Sequence, residues 1–418
     1  LWPIPYYLDV SEAFAETIEA GTRIALRDTE GFMPAVLTVE SIWRADKAIE
    51  AEKVYGTKDK AHPGVEYLFE QVGDVYLGGS IQGVQLPFHY DFETLRDTPA
   101  ELRHYFDKQG WRNVVAFHTS KPMHRVHQEI TMRAARDANA HILIHPVVGT
   151  SKPGDLHYYA RVHCYQAIKQ RYPKNLVALS LLPMAMRMAG PREALMNAII
   201  RQNYGCSHYI IGTEHAAPPN VRDSALRFYK TGAAQQYAEQ FRDELEIKII
   251  PVPELCYDED RGKYIAADAT EGGQCSAQTY SNRMIVNAIE HDEAIPSWVT
   301  YPEVVSEIYK VCPPRREQGF TLFFTGLSGS GKSTLAKILY AKFIEEGKRP
   351  VTLLDGDVVR HNLSSELGFS KKDRNINVRR IGYVASEITK NRGIAICAPI
   401  APYTAMRRDV RANIEQYG

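Results

Sequence analysis

Near one end of this 418-residue chain, the run Gly326-Leu-Ser328-Gly329-Ser330-Gly331-Lys332-Ser333-Thr334 leaves few folds open. A loop this rich in glycine can wrap its backbone amides around a phosphate, and the N-terminus of a following helix adds partial positive charge. Such a loop needs a strand before it and a helix after it. Thr321-Leu-Phe-Phe324 supplies a short apolar run, and Lys332 to about Glu346 reads as a helix that Gly347 can close. Lys332 would then reach the β- and γ-phosphates of ATP, and Ser333 would hold magnesium. Two further apolar runs, Val351-Thr-Leu-Leu354 and Ile394-Ala-Ile-Cys397, complete a small parallel α/β sheet.

Length and composition frame the rest. A chain this long exceeds one hydrophobic core, so at least two domains are expected. Lys+Arg and Asp+Glu balance at 50 each, so no bulk positive charge argues for nucleic acid or a membrane surface. Anionic ligands must be met by local sites. No apolar run approaches the roughly 18–20 residues of a membrane span. The cysteines Cys164, Cys206, Cys256, Cys275, Cys312 and Cys397 are scattered, with no Cys-x-x-Cys pair, which reads as a reduced, cytoplasmic protein. The chain opens on Leu-Trp-Pro-Ile-Pro without Met or a secretory pattern, so a native N-terminus upstream is expected.

Along the chain, residues 1–90 mix β-branched runs such as Ala35-Val-Leu-Thr-Val-Glu40 with turn residues, and suggest a mainly β domain. In 91–250 the runs Val114–Phe117, Ile142–Ile144, Leu176–Leu179, Tyr209–Ile211 and Ile247–Ile250 alternate with helix-length segments. Short runs buried on both faces and separated by crossover helices form a doubly wound parallel sheet. Residues 251–313 read as a small α+β appendage with Glu271-Gly-Gly273 and a helix from Met284 to Glu290, ending in the linker Cys312–Gly319. The P-loop domain fills 314–418.

Within that last domain, Asp355-Gly-Asp357 ends the second strand at the sheet edge where α/β folds bind ligands. One carboxylate can orient magnesium and the other the attacking hydroxyl, although Asp355 as a helix cap is the simpler alternative. Arg360, Arg374, Asn377, Arg379 and Arg380 form a group that could clamp an anionic acceptor, or stand as solvated helix residues. These motifs, with Leu367-Gly-Phe369-Ser, Asn377-Val-Arg-Arg-Ile-Gly382 and Ala398-Pro-Ile-Ala-Pro-Tyr403, resemble adenosine 5′-phosphosulfate (APS) kinases. The resemblance implies transfer of the ATP γ-phosphoryl group to the 3′-hydroxyl of APS. By position it assigns Arg360, Phe369, Arg374 and Asn377 to APS, Asp357 to the hydroxyl, and Ser333 with Asp355 to magnesium. Kinases of this family continue through a lid and further core, so more chain is expected beyond Gly418.

In the central domain, Val114–Phe117 runs into His118-Thr-Ser120-Lys121-Pro and then His124-Arg-Val-His127. His124 and His127 lie three apart, on one face of a first helical turn, where unpaired amides already favour anions. The pair suits gripping ATP phosphates as charge develops on departing pyrophosphate. Zinc ligation and plain cap or core histidines remain open, though no third ligand accompanies the pair at a recognisable spacing. With Val54-Tyr-Gly-Thr, His62-Pro-Gly-Val, His145-Pro-Val-Val-Gly149, Leu182-Pro-Met-Ala-Met-Arg187-Met-Ala-Gly-Pro-Arg-Glu-Ala194 and Gly212-Thr-Glu-His215-Ala216, residues 1–311 resemble ATP sulfurylases. The implied fold is a nucleotidyltransferase-type α/β domain between the β domain and the appendage, and the implied reaction is ATP plus sulfate to APS plus pyrophosphate, or its reverse. Gly212, His215 and Ala216 would lie beside the nucleotide, and His118, Ser120 and Lys121 would face sulfate; Arg187 offers a further anion contact on its charge alone, with a solvated or packing arginine as the equal alternative.

This chain departs from that family at Gln-x-Arg-Asn, where it has His118, Ser120 and Lys121, and at Gly-Arg-Asp-His, where it has Thr213 and Glu214. Two cationic forks are absent, each worth about 1.5–3 kcal/mol of charge-assisted hydrogen bonding. Lysine supplies charge but no bidentate fork. Ser281-Asn-Arg283 also differs from the family's Ser-Gly-Thr. The expected whole is a magnesium-dependent, homo-oligomeric enzyme that forms APS and phosphorylates it. The altered positions keep open a sulfurylase-like part that serves as a regulatory nucleotide-binding module, or that adenylylates another oxyanion.

Overall fold

The computed structural model describes residues 2–149, 156–218, 227–267 and 280–415. It divides into two compact units, Leu1–Asn282 with Pro296–Glu307, and Arg283–Ile295 with Ile308–Gly418.

The first unit opens with β1 (Leu8–Val10), α1 (Glu12–Ala15), β2 (Arg23–Leu26), β3 (Ala35–Arg44), α2 (Lys47–Tyr55), α3 (Pro63–Glu70) and β4 (Val75–Gly83). The strands form one antiparallel sheet in the order β1-β4-β3-β2. Alternation in β3 turns Leu37 and Val39 into a small core with Leu77. Register shifts between Val39 and Ser41, leaving Glu40 as the extra residue of a bulge. The two helices are additions to the expected β domain. Asp46 caps α2, and His62 caps α3 ahead of Pro63, so a stretch that reads as loop in the sequence starts a helix.

After α4 (Pro99–Gln109), whose Thr98 and Glu101 form a capping box, the chain builds its main sheet. The elements are β5 (Val114–Phe117), α5 (Arg125–Asp137), β6 (His141–Ile144), α6 (Tyr158–Lys169), β7 (Val177–Leu179), α7 (Pro191–Asn203), β8 (His208–Ile211), α8 (Ala233–Glu239) and β9 (Lys248–Pro251). All five strands are parallel in the order β7-β6-β5-β8-β9. The chain winds outward from β5, then returns through α7 to β8 on its other side. This is a doubly wound fold, and its switch point puts the loops after β5 and β8 side by side at the ligand-binding edge. A hairpin of β10 (Leu255–Asp258) and β11 (Lys263–Ala266) follows. Glu271-Gly-Gly273 and Cys275 lie outside the described residues.

The second unit contains most of α9 (Asn282–Glu290) and the end of α10 (Pro302–Val311), then β12 (Phe320–Phe323), α11 (Lys332–Glu346), β13 (Val351–Asp355), α12 (Gly356–Leu363), α13 (Lys371–Lys390), β14 (Ile394–Ala398) and α14 (Thr404–Ile414). The sheet is parallel, in the order β12-β14-β13. Every residue of β14 is buried, as its central place demands. Gly347 closes α11 with φ 62°. Gly382 lets α13 and α14 approach closely, since a Cβ there would sit 2.7 Å from Val410 Cγ1.

Candidate active site

In the second unit the loop between β12 and α11 bends through positive φ at Gly326 (147°), Gly329 (77°) and Gly331 (83°). A side chain would strain all three positions, yet no atom stands within 4 Å of a Cβ built on Gly329 or Gly331. Gly329 and Gly331 therefore face open space. Lys332 folds back over the loop, its Nζ donating to Leu327 O at 2.7 Å and lying 3.4 Å from Ser330 Oγ. Ser328 lies on the same loop, and Ser333 and Thr334 stand exposed on the first turn of α11.

At the end of β13, separated from β12 by β14, Asp355 caps α12, its Oδ1 accepting from Asp357 N at 3.1 Å. Capping and facing the phosphate loop are compatible, because one carboxylate oxygen remains. Arg360 stacks over the Phe369 ring at 4.2 Å while donating to Gly368 O at 2.8 Å. Phe369 is 74% exposed, so one ring face is free. Arg374 braces the same loop by donating from Nε to Phe369 O at 2.9 Å. Asn377 is buried with its Oδ1 unsatisfied. Arg380 does not join the expected clamp: it bonds Glu366 at 2.6 Å and Leu363 O.

In the first unit, β5 delivers His118 to the switch point and the loop after it reaches α5. Ser120 O accepts from Arg161, Thr119 Oγ1 accepts from Lys121 N at 3.1 Å, and Tyr165 donates to Lys121 O at 2.9 Å. The backbone is thus fixed while the Lys121 side chain is exposed. His124 turns inward: Thr300 Oγ1 lies 2.9 Å from Nδ1 and Asn282 Oδ1 lies 2.5 Å from Nε2. Neither ring nitrogen is left over for a phosphate in this arrangement. His127 accepts from His124 N at 3.0 Å through Nδ1, capping the turn and leaving Nε2 for other use. Burial pushes His124 down to about 4 and His127 to about 3, so both are neutral near pH 7. No group of three or more His, Cys, Asp and Glu that could hold a metal occurs among the described residues.

Across the switch point, Gly212, Thr213, Glu214, His215 and Ala216 follow β8. His215 Nε2 sits 3.0 Å from Tyr209 OH, and its ring centroid is 5.4 Å from that of His118. Burial, reinforced by Arg201, pushes His215 down to about 3. A cleft opens beside this loop, bordered by Gly190, Pro191, His215, Arg227, Tyr229 and Lys230. Arg227 pairs with Glu214 at 3.2 Å, so a guanidinium stands near the loop that lacks arginine at Thr213. Arg187 lies on the strap before α7. Glu193 holds that strap, accepting from Arg187 N at 3.1 Å and Ala189 N at 3.0 Å. Burial raises Glu193 to about 7 against those two donors.

Sequence reasoning missed Arg201, Asn197 and Glu193, all fully buried. Arg201 donates to Asn197 Oδ1 at 2.7 Å, His118 Nδ1 at 3.0 Å and His145 O at 3.1 Å, and lies 5.6 Å from the Tyr209 ring. The only sequence signal was the four-residue spacing of Asn197 and Arg201, which a solvated helix face shares.

Fold and sites together define a two-part nucleotide enzyme: a doubly wound α/β unit with a buried polar switch point, joined to a P-loop phosphotransferase. Family models agree in order, with a PUA-like domain over residues 1–86, ATP-sulfurylase over 93–311 and adenylylsulphate kinase over 318–417. Sulfate adenylyltransferases of Chaetomium globosum and Phaeosphaeria nodorum are each 45% identical to this chain over its whole length and 73% of theirs. A solved hexameric APS kinase from Thiobacillus denitrificans is 41% identical, with TM-score 0.81, covering 100% of this chain and 75% of that one. The chain belongs to the sulfate adenylyltransferase family and carries an adenylylsulfate kinase domain behind its ATP-sulfurylase domain, the bifunctional architecture of sulfate activation.

Proposed function

We propose that the second unit phosphorylates APS on its 3′-hydroxyl in the cleft between the glycine loop and the Arg360–Phe369 pair. The observation that carries this is the pairing of an open phosphate loop with an aromatic face already backed by a guanidinium. Loop amides and Lys332 hold the β- and γ-phosphates and offset charge as the γ-group departs. Phe369 stacks the adenine of APS, Arg360 and Arg374 hold its loop, and Asn377 Oδ1 gains the partner it lacks. Asp357 orients the acceptor hydroxyl and takes up its proton. Ser333 and Asp355 offer hard oxygen donors of the kind magnesium prefers, beside where ATP phosphates must lie; when bound, it would neutralise charge on those phosphates. Lys332→Ala is expected to lower APS-dependent ADP formation about 10²–10³-fold. Unchanged turnover would refute this assignment.

In the first unit, sulfate oxygen attacks the α-phosphorus of ATP in line and pyrophosphate leaves. Lys121, His127 and Arg187 supply the polar and cationic contacts, with Gly212, His215 and Ala216 beside the nucleotide. His118 and Ser120 border the sulfate, and His124 acts by fixing the turn that carries His127. A second reading, a nucleotide-binding module that serves the kinase, has in its favour only Ser120 and Thr213 standing where arginines are expected, and against it the ATP-sulfurylase family match and the sulfate adenylyltransferase relatives. The two separate on sulfate-dependent pyrophosphate release from ATP and pyrophosphate-dependent ATP formation from APS. Both absent in the wild type, and restored by Ser120→Arg with Thr213→Arg, would establish the second. The hexameric state of the Thiobacillus denitrificans protein supports a homo-oligomer here. The free thiols among the described residues, with no helix there long and apolar enough to cross a membrane, support a cytoplasmic setting.

A further inference from the structure

We propose that Arg201 is a positioning residue that presents His118 to a tetrahedral oxyanion as a neutral N–H donor. This rests on the reading of the first unit as an adenylyltransferase site for an oxyanion. Arg201 is fully buried, and among the described residues the carboxylate that acts on it, Glu193, does so without a direct ion pair. Its partners there are uncharged: Asn197 Oδ1 at 2.7 Å, His145 O at 3.1 Å and His118 Nδ1 at 3.0 Å.

A guanidinium only donates, so His118 Nδ1 must offer its lone pair and the ring proton must sit on Nε2. The His145 carbonyl, which accepts from Arg201, also favours a proton on His118, but burial first and Arg201 next outweigh it and hold His118 well below the ordinary value. His118 therefore cannot gain a second proton without breaking its bond to a buried cation. Its ring lies at the end of β5, 5.4 Å from that of His215, at the switch point where ligands enter. A buried charge is costly where its compensation is incomplete: Glu193, raised to about 7, offsets Arg201 only in part, and an anion bound against His118 Nε2–H would add counter-charge along the Arg201–His118 axis.

The position thus demands an acceptor toward Arg201 and a donor toward the ligand. Glutamine meets both demands, through Oε1 and its amide N–H; leucine meets neither.

The test uses the full chain with selenate, a tetrahedral dianion located by anomalous scattering in soaked crystals and titrated calorimetrically with the P-loop saturated by a nonhydrolysable ATP analogue. Selenate is expected within hydrogen-bond reach of residue 118 in the wild type and in His118→Gln. Affinity should fall about tenfold in His118→Leu, whose partner cation remains, and in Arg201→Met. Arg201→Lys, which keeps charge but not the fork, should fall between. Because Arg201→Met could unfold the unit, the His118→Gln and His118→Leu contrast decides. Equal binding by both, or selenate seated away from residue 118, overturns the inference. Selenate held at His118 in a protein with no adenylylation supports it and refutes the activity reading alone.

Discussion

At the residue scale, Phe369 offers the sharpest contrast between recognition and chemistry. Its ring is exposed on one face and backed by Arg360 on the other, a cost in exposed apolar area that a stacked adenine would recover. Phe369→Ala should raise the KM for APS about tenfold, from roughly 1.4 kcal/mol of lost stacking, and leave kcat within about twofold. A fall in kcat at unchanged KM would instead place the ring in the transition state. Motif spacing named Lys332, Asp357, Arg360, Phe369, Arg374 and Asn377, and the fold ties Arg360, Phe369 and Arg374 to one another. Arg201 and Glu193 were not legible. Nothing in a helix sequence distinguishes an arginine that faces solvent from one sealed beneath a strand end, and only the tertiary fold decides it.

Among the elements, the turn that starts α5 shows how a motif can be read correctly in position and too simply in role. The spacing of His124 and His127 does mark a first helical turn, but the backbone there had donors to satisfy, and one imidazole is used for that. The other is taken by Thr300 and Asn282, residues too distant in sequence for spacing to reveal. The strands of the two parallel sheets were legible because short apolar runs between helix-length segments have few other uses. Helices α2 and α3 were not, since both are short and the His62 cap of α3 follows a stretch of turn residues from Gly56 to Asp59. Burial of these rings has a consequence for acid stability. His124, His127 and His215 titrate in the fold at about 4, 3 and 3, and His118 and His145 also lie well below the ordinary value. Their contribution is complete above pH ~6.5 and is lost as pH falls toward those lower values, because the unfolded chain binds protons that the fold refuses. Each removes about 1.4 kcal/mol by pH 5.5. Glu193 has the opposite sign, raised to about 7, and offsets only part of the loss. All four tryptophans, Trp2, Trp43, Trp111 and Trp298, lie in the first unit, so their fluorescence reports on it alone. Stability followed this way should drop steeply between pH 6.5 and 5, and His127→Gln should shallow that slope. An unaltered slope in the variant would show that His127 titrates normally in the fold.

For the whole molecule, the order of the two units has a thermodynamic meaning that neither site reveals alone. Joining sulfate to the α-phosphorus creates a mixed anhydride and releases pyrophosphate, a step with little driving force because one reactive anhydride replaces another. Phosphorylating the 3′-hydroxyl removes APS in a step that converts an ATP anhydride into a phosphate ester. Carrying both sites on one chain therefore lets the second reaction draw the first forward. The effect needs only shared substrate, not contact between the sites. It predicts that sulfate-dependent pyrophosphate release, followed continuously in the wild type, exceeds the plateau reached by Lys332→Ala, whose APS accumulates and reverses the step. Adding a separate APS kinase to Lys332→Ala should restore the wild-type course if the coupling is by mass action. Failure of the added kinase to restore it, with Lys332→Ala still forming APS, would mean that the intact chain passes APS between its own sites. Equal plateaus in the wild type and Lys332→Ala would mean that the kinase draws nothing from the sulfurylase, and would turn attention back to the altered residues at Ser120 and Thr213.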